Sequence, residues 1–297
     1  MQNFFSPKET MSNYLEGSEK RIQNDSFKII LLAVFAGMFI AFGAGGSSLA
    51  VHNIAEAGIA RLVAGLVFPV GLMMVILTGA ELFTGDCMFI MGACQKRYKM
   101  LTMIKVLVLV YFGNMIGGVL IAILTSFSGQ FDYTAGLLGA YTIKIAAGKV
   151  ALPFYKALIS GILCNILVCV AVFMAGCAKD IVGKLFAVFF PILLFVVCGF
   201  EHCVANMYYI PAGIMARANE QYAAVAMEQY GLTMEQISNI SWSNFFIHNL
   251  VPVTLGNIIG GMLAFAIPVL LIYGESKGGS FNELFKFSRL RGSNLSD

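Results

Sequence analysis

Apolar residues run in long blocks along this chain, and the polar positions fall between the blocks. Six blocks stand out, and each approaches the roughly 20 residues that a membrane-spanning helix needs. The first covers about residues 29–51, carries no charge and includes the Gly-rich Gly43-Ala44-Gly45-Gly46. The third covers about 101–126, the fourth 157–178 and the sixth 246–273. The other two are interrupted. The second starts near Leu62, meets Glu81 after Ala80, and continues past Asp86 to about Ala93. The fifth starts near Leu185, meets Glu201 and His202, and resumes from Cys203 to about Met215. Ahead of the blocks, Ser6-Pro7-Lys8-Glu9 carries an N-cap, a first-turn proline and an acid three residues past the cap. Met11, Tyr14, Leu15, Ser18 and Ile22 then fall on one helix face. This predicts a short amphipathic helix within residues 1–27, lying on the membrane or on the protein itself, with a gating role as the sharper alternative.

The two halves repeat each other. Gly113-Asn114-Met115-Ile116-Gly117-Gly118 recurs as Gly256-Asn257-Ile258-Ile259-Gly260-Gly261, Gly79-Ala80-Glu81 as Gly199-Phe200-Glu201, and Phe68-Pro69 as Phe190-Pro191. Spans one to three, about 28–126, are thus expected to recur as spans four to six, about 152–274. Three spans are an odd number, so the second copy is inserted upside down. Matched interrupted helices in inverted repeats point to a transport pathway at the bilayer midplane.

Composition sharpens this picture. Of 297 residues, 59% are hydrophobic and 12% charged, against roughly 25% charged in soluble domains. A net charge of +3, without an Arg-rich patch among aromatics, argues against nucleic acid. Fourteen of the nineteen basic residues fall on the side that holds both termini, including those of the basic tail at 275–297, which predicts cytoplasmic termini. The N-terminal segment is too charged to be read as a signal peptide. Seven cysteines, an odd number without a C-x-x-C spacing, favour neither disulfides nor zinc. No cofactor or metal is implied.

The candidate chemistry sits at the interruptions. Glu81 and Glu201 are expected to accept the backbone N–H groups that a helix break sets free, since hydrocarbon cannot satisfy them. His202 is either a buried ring bonded to a carbonyl or a pore-facing group that bonds a passing ion; the matched breaks favour the pore. Thr84, three residues after Glu81, is its expected partner. Asn114 is expected to bond between helices, and Asn165 and Asn257 are candidates for the pathway. Phe68, Leu72, Leu82, Phe83 and Phe195 are either core or dry constrictions that hold back hydrated ions. Lys149, placed at the outer end of the fourth span, either snorkels to the interface or raises the local anion concentration. The Gly-Gly pairs after Asn114 and Asn257 are close helix contacts.

Around these residues the sequence resembles the formate/nitrite transporter family, whose members include formate, nitrite and hydrosulfide channels. The resemblance rests on Glu81-Leu82-Phe83-Thr84-Gly85, on Gly199-Phe200-Glu201-His202 with Ala205-Asn206-Met207, and on the run from Asn249 to Gly261. It covers about residues 28 to 273. It implies an all-α membrane protein with six transmembrane helices in an aquaporin-like 3+3 inverted repeat, assembled as a homopentamer in the cytoplasmic membrane. It also implies Thr84 and His202 as the central polar pair, with Asn257 near the pore centre. Phe68, Leu72, Leu82, Phe83 and Phe195 would line two constrictions. Lys149 and Asn165 would lie in the outer vestibule, and the stretch 82–86 would be a mobile loop. The first motif is nitrite-like or hydrosulfide-like and the third formate-like, a mixture that fits the hydrosulfide branch best. The expected function is a channel for small monovalent anions of weak acids. Its competitors are a neutral-solute channel of the water or glycerol type and a proton-coupled secondary transporter. An enzyme is not expected, because Glu201-His202 alone offers neither a nucleophile–base pair nor a metal.

Overall fold

The computed structural model describes residues 3–274, so the basic tail lies outside the described residues. Those residues are helical throughout, apart from connections and one isolated bridge between Phe4 and Ala178. Helix α1 (Pro7–Ile22) starts where Ser6 and Glu9 exchange hydrogen bonds in a capping box. The Ser6 hydroxyl and backbone N–H hold the Glu9 carboxyl below its usual range. Met11, Leu15, Ser18 and Ile22 are buried along one face, so α1 lies against the protein.

Among the described residues, six helices are long and apolar enough to cross a membrane. They are α2 (Ser26–Val51), α3 (Ala57–Thr78), α5 (Met100–Phe127), α7 (Phe154–Cys177), α8 (Ile181–Cys198) and α12 (Trp242–Tyr273). Two shorter apolar helices, α4 (Phe83–Cys94) and α9 (Cys203–Ala216), continue α3 and α8 after a few non-helical residues. Both interruptions begin with a glycine in the left-handed region, Gly79 and Gly199, each at φ 71°. Such a residue ends a helix without the clash that a Cβ would bring. Close backbone approach sets the rest. A Cβ on Gly117 of α5 would meet the Val34 carbonyl oxygen at 2.1 Å, and one on Gly260 of α12 the Ile162 carbonyl oxygen at 2.2 Å. These glycines let α5 press on α2 and α12 on α7, as their spacing predicted.

Three helices fall between the spans. These are α6 (Leu137–Val150), α10 (Glu220–Tyr230) and α11 (Met234–Ser238). Lys149 therefore belongs to the last turn of α6 and not to the fourth span, which starts after Pro153. A proline fixes its own φ and disfavours helix in the residue before it, so Pro153 separates the two helices. Span two starts at Ala57 and span five at Ile181, four or five residues earlier than the apolar blocks suggested. At the second site Asp180 caps the helix by accepting from the Gly183 N–H at 2.8 Å.

Candidate functional site: a neck between two broken helices

The breaks were expected to be held by their glutamates. They are held by asparagines. Asn114 of α5 accepts the Phe83 N–H at 2.9 Å and donates to the carbonyls of Ala33 (2.8 Å) and Glu81 (2.9 Å). Asn257 of α12 accepts the Cys203 N–H at 2.9 Å and donates to the carbonyls of Gly161 (2.8 Å) and Glu201 (3.1 Å). Each amide spends both of its ends on the backbone of a break. The Glu81 N–H goes to the Leu32 carbonyl and the Glu201 N–H to the Ser160 hydroxyl. Neither carboxylate is needed for the backbone, because uncharged acceptors satisfy these donors without burying more charge. Asn257, expected on the pathway, thus matches Asn114 in its bonding, and none of its polar atoms faces the neck.

The glutamates take cations instead. Glu81 and Asp86, both buried, share Arg21 of α1; Arg21 Nε donates to Glu81 at 3.0 Å, and its Nη2 reaches both acids. The Arg21 guanidinium also lies 4.7 Å from the centre of the Phe89 ring. Glu201 accepts from Lys149 at 2.8 Å and from Asn206 at 2.6 Å. Asn206 also donates to Asn249 at 2.7 Å, and Asn249 donates to the Lys149 carbonyl at 3.1 Å. Asn249 lies in a π-helical stretch of α12, Phe245–Leu250. Wide turns of this kind occur preferentially at functional sites.

Between the breaks lies a cavity of about 10 Å³, lined by Ile40, Phe68, Leu72, Leu82, Val168, Ile192, Phe195 and His202. That is about room for one water molecule. Phe68 and Phe195 meet edge to face at 5.4 Å, and Phe195 lies 6.0 Å from the His202 ring. His202 is the single polar residue in this lining. Its Nδ1 accepts the Ala205 N–H at 3.1 Å and its Nε2 lies 2.8 Å from Thr84 Oγ1. A backbone N–H can only donate, so Nδ1 is an acceptor and a neutral ring carries its hydrogen on Nε2. Nε2 then donates to Thr84, which stands behind the histidine and outside the lining.

Four of the five predicted constriction residues bound this one space. Phe83 does not: its ring packs edge to face on Tyr111 at 4.9 Å, because residue 83 is the first of α4 and the chain turns there from extended to helical. Asn165 is likewise absent from the vestibule. It is fully buried and donates to the carbonyls of Thr84 (3.1 Å) and Asn257 (2.7 Å), so it ties α4 to α12. Lys149 lines a second cavity of about 440 Å³, together with Lys144, Lys156, Ser160, Gly148, Gly199 and Glu201.

Comparison with known proteins agrees with this architecture. The family model described as formate/nitrite transporter matches residues 8–271. The chain belongs to the formate/nitrite transporter family. A probable formate transporter of Methanothermobacter thermautotrophicus is 37% identical over 279 residues, 88% of this chain and 94% of that protein. The formate channel FocA of Escherichia coli (strain K12) is 36% identical over 251 residues, 83% of this chain and 86% of FocA. Among solved structures, a pentameric formate channel with formate bound matches with a TM-score of 0.73 at 32% identity, covering 84% of this chain and 98% of that one.

For a member of the formate/nitrite transporter family, several residues here escaped sequence reasoning. Arg21 is one of several charges in the N-terminal segment and Asp86 an acid just past the break, and nothing in the sequence pairs them. Ile40, Val168 and Ile192 were indistinguishable from other core residues. Asn206 and Asn249 sat inside the diagnostic motifs, where a polar amide in an apolar run was signal enough to ask what each one bonds.

Proposed function

We propose that this family member is a channel that passes small monovalent anions of weak acids through the neck at His202. The observation that carries this reading is one imidazole, bonded to Thr84 at 2.8 Å, at the wall of an otherwise apolar space of about 10 Å³. Phe68, Leu72, Leu82 and Phe195 form the dry constriction, which opposes a hydrated ion. An anion that sheds its water there competes with Thr84 for the Nε2 hydrogen. If the ring is to lend a proton, it must first gain a second one at Nδ1, which displaces the Ala205 N–H. A weak acid that takes that proton crosses as a neutral species and avoids much of the desolvation cost. Lys149, paired with Glu201, lines the mouth with Lys144 and Lys156, and the net positive charge of that group draws anions in.

Relatives named for formate support formate as the first ion to test, ahead of the hydrosulfide that the mixed motifs favour; nitrite follows. The pentameric relative supports a homopentamer with one pore in each protomer, and the excess of basic residues near the termini supports a cytoplasmic membrane protein with both termini inside.

Flux into proteoliposomes tests the proposal. Formate, hydrosulfide or nitrite should enter fast, chloride slowly and glycerol not at all, with uptake of the weak acid rising as pH falls. Glycerol or water flux without anion flux would place the chain among neutral-solute channels, and accumulation against a gradient would make it a secondary transporter. His202→Phe should abolish the pH response; a variant with wild-type flux and an unchanged pH profile would remove the histidine from the mechanism.

A further inference from the structure

The outer vestibule is far larger than a small monoanion requires. Its volume is about 440 Å³, against about 10 Å³ in the neck. Three ammonium groups line it, from Lys144, Lys149 and Lys156, against the single carboxylate of Glu201. Glu201 is already bonded to Lys149 at 2.8 Å. Two positive charges are left over. Lys156 has no ion-pair partner among the described residues. Lys144 rests on the Tyr230 ring, 4.5 Å from its centre, a contact that orients the ammonium without neutralising it.

The wall carries a second signal. Gly148 sits inside α6, where glycine costs about 0.5–1 kcal/mol relative to alanine. At Gly117 and Gly260 close packing explains the glycine, but a Cβ on Gly148 would meet nothing within 4 Å. Gly199, on the same wall, is a glycine for its left-handed φ of 71° and adds no side chain to the cavity. Glycine without a packing role at the edge of a cavity leaves room for a ligand to approach the backbone.

We propose that the outer vestibule is a docking site for a small dianion, of the sulfate or short-dicarboxylate class, held by Lys144 and Lys156 against the Gly148 wall. The neck rejects such an ion, because the cost of stripping water from a charge grows with the square of that charge. The dianion therefore stops at the mouth and competes with the monoanion for entry. This rests on the proposed channel function in taking the neck as the monoanion path and the cavity beside Glu201 as its outer mouth.

Binding is measured first, without flux, by calorimetric titration of the detergent-solubilised full chain with sodium sulfate, disodium succinate and, at matched ionic strength, sodium chloride. Sulfate, succinate or both should bind well above chloride, and the one that binds assigns the class. Lys144→Gln with Lys156→Gln should weaken that binding severalfold, up to about tenfold, as loss of two exposed charge contacts allows. Gly148→Leu puts a side chain into the space where its Cβ meets nothing within 4 Å and should weaken binding with both lysines intact. In proteoliposomes the bound dianion should raise the monoanion concentration for half-maximal uptake and leave the plateau unchanged. Absence of dianion binding, binding equal in both variants, or a lowered plateau with unchanged half-saturation would each overturn the site. Dianion binding in a protein without monoanion flux would leave the site standing and reject the channel reading.

Discussion

The two breaks are alike in how they hold the backbone and unlike in how they balance charge. In each, a left-handed glycine ends the helix, and one asparagine takes an N–H and a carbonyl of the break together with a carbonyl of a neighbouring helix. At the first break, two buried acids depend on Arg21, which comes from α1, a helix that is not one of the six spans. At the second, one acid is shared among Lys149, Asn206 and Asn249. Asp86 and Asn206 stand five residues after their glutamates. The comparison teaches that the polypeptide geometry of a break is fixed by neutral amides, whereas the charges around it are free to differ on the two sides.

The largest expected effect tests the likeness. Asn114→Ala and Asn257→Ala each strand two buried backbone groups of the break, an N–H and a carbonyl, at a cost of about 1–3 kcal/mol per group, and also lose a bond to a neighbouring helix. Both should lower the unfolding midpoint in detergent by similar, large amounts. A mild effect at one site only would break the equivalence. The next test addresses the difference. Arg21→Met leaves two buried carboxylates without their cation and should cost about 3 kcal/mol or more. Lys149→Met leaves Glu201 two amide donors, and by the same bookkeeping should cost about half as much. Equal losses would show that the amides around Glu201 contribute nothing. The smallest effect is Asp86→Asn, which makes the first break chemically like the second. It removes one of two acids competing for Arg21 and should change stability by no more than about 1 kcal/mol. A large loss would mean that Asp86 has a partner beyond Arg21.

Much of this fold was legible in the sequence. Apolar runs of spanning length, interrupted at Glu81 and at Glu201, marked both the spans and the breaks, because a bilayer leaves little freedom in helix length. The Gly-Gly pairs announced close helix contacts, since few residues other than glycine tolerate them. Roles that depend on distant partners were not legible. Nothing in Glu81 says that its cation lies sixty residues earlier in the chain. Asn257 and Asn114 share a motif, and the sequence reading still assigned them different roles; their common bonding shows that the motif was the better guide. Phe83 sits next to Leu82 in the chain, but one step at the start of a helix points its ring at Tyr111 and not at the neck. Lys149 was attached to the wrong helix because α6 is short and lies between two longer apolar runs.

One cysteine offers an experimental handle. Among the free cysteines, Cys87, Cys164, Cys169 and Cys203 are buried, Cys94 and Cys177 are half-buried, and Cys198 is exposed. Cys198 is the last residue of α8, directly before the glycine that opens the second break. A maleimide dye offered briefly to the native protein tests what this surface meets, without any engineered substitution: fast labelling would put the thiol in contact with water, and protection from labelling would put it against lipid. Once attached, its emission would show whether the surroundings of the second break change when anions are added.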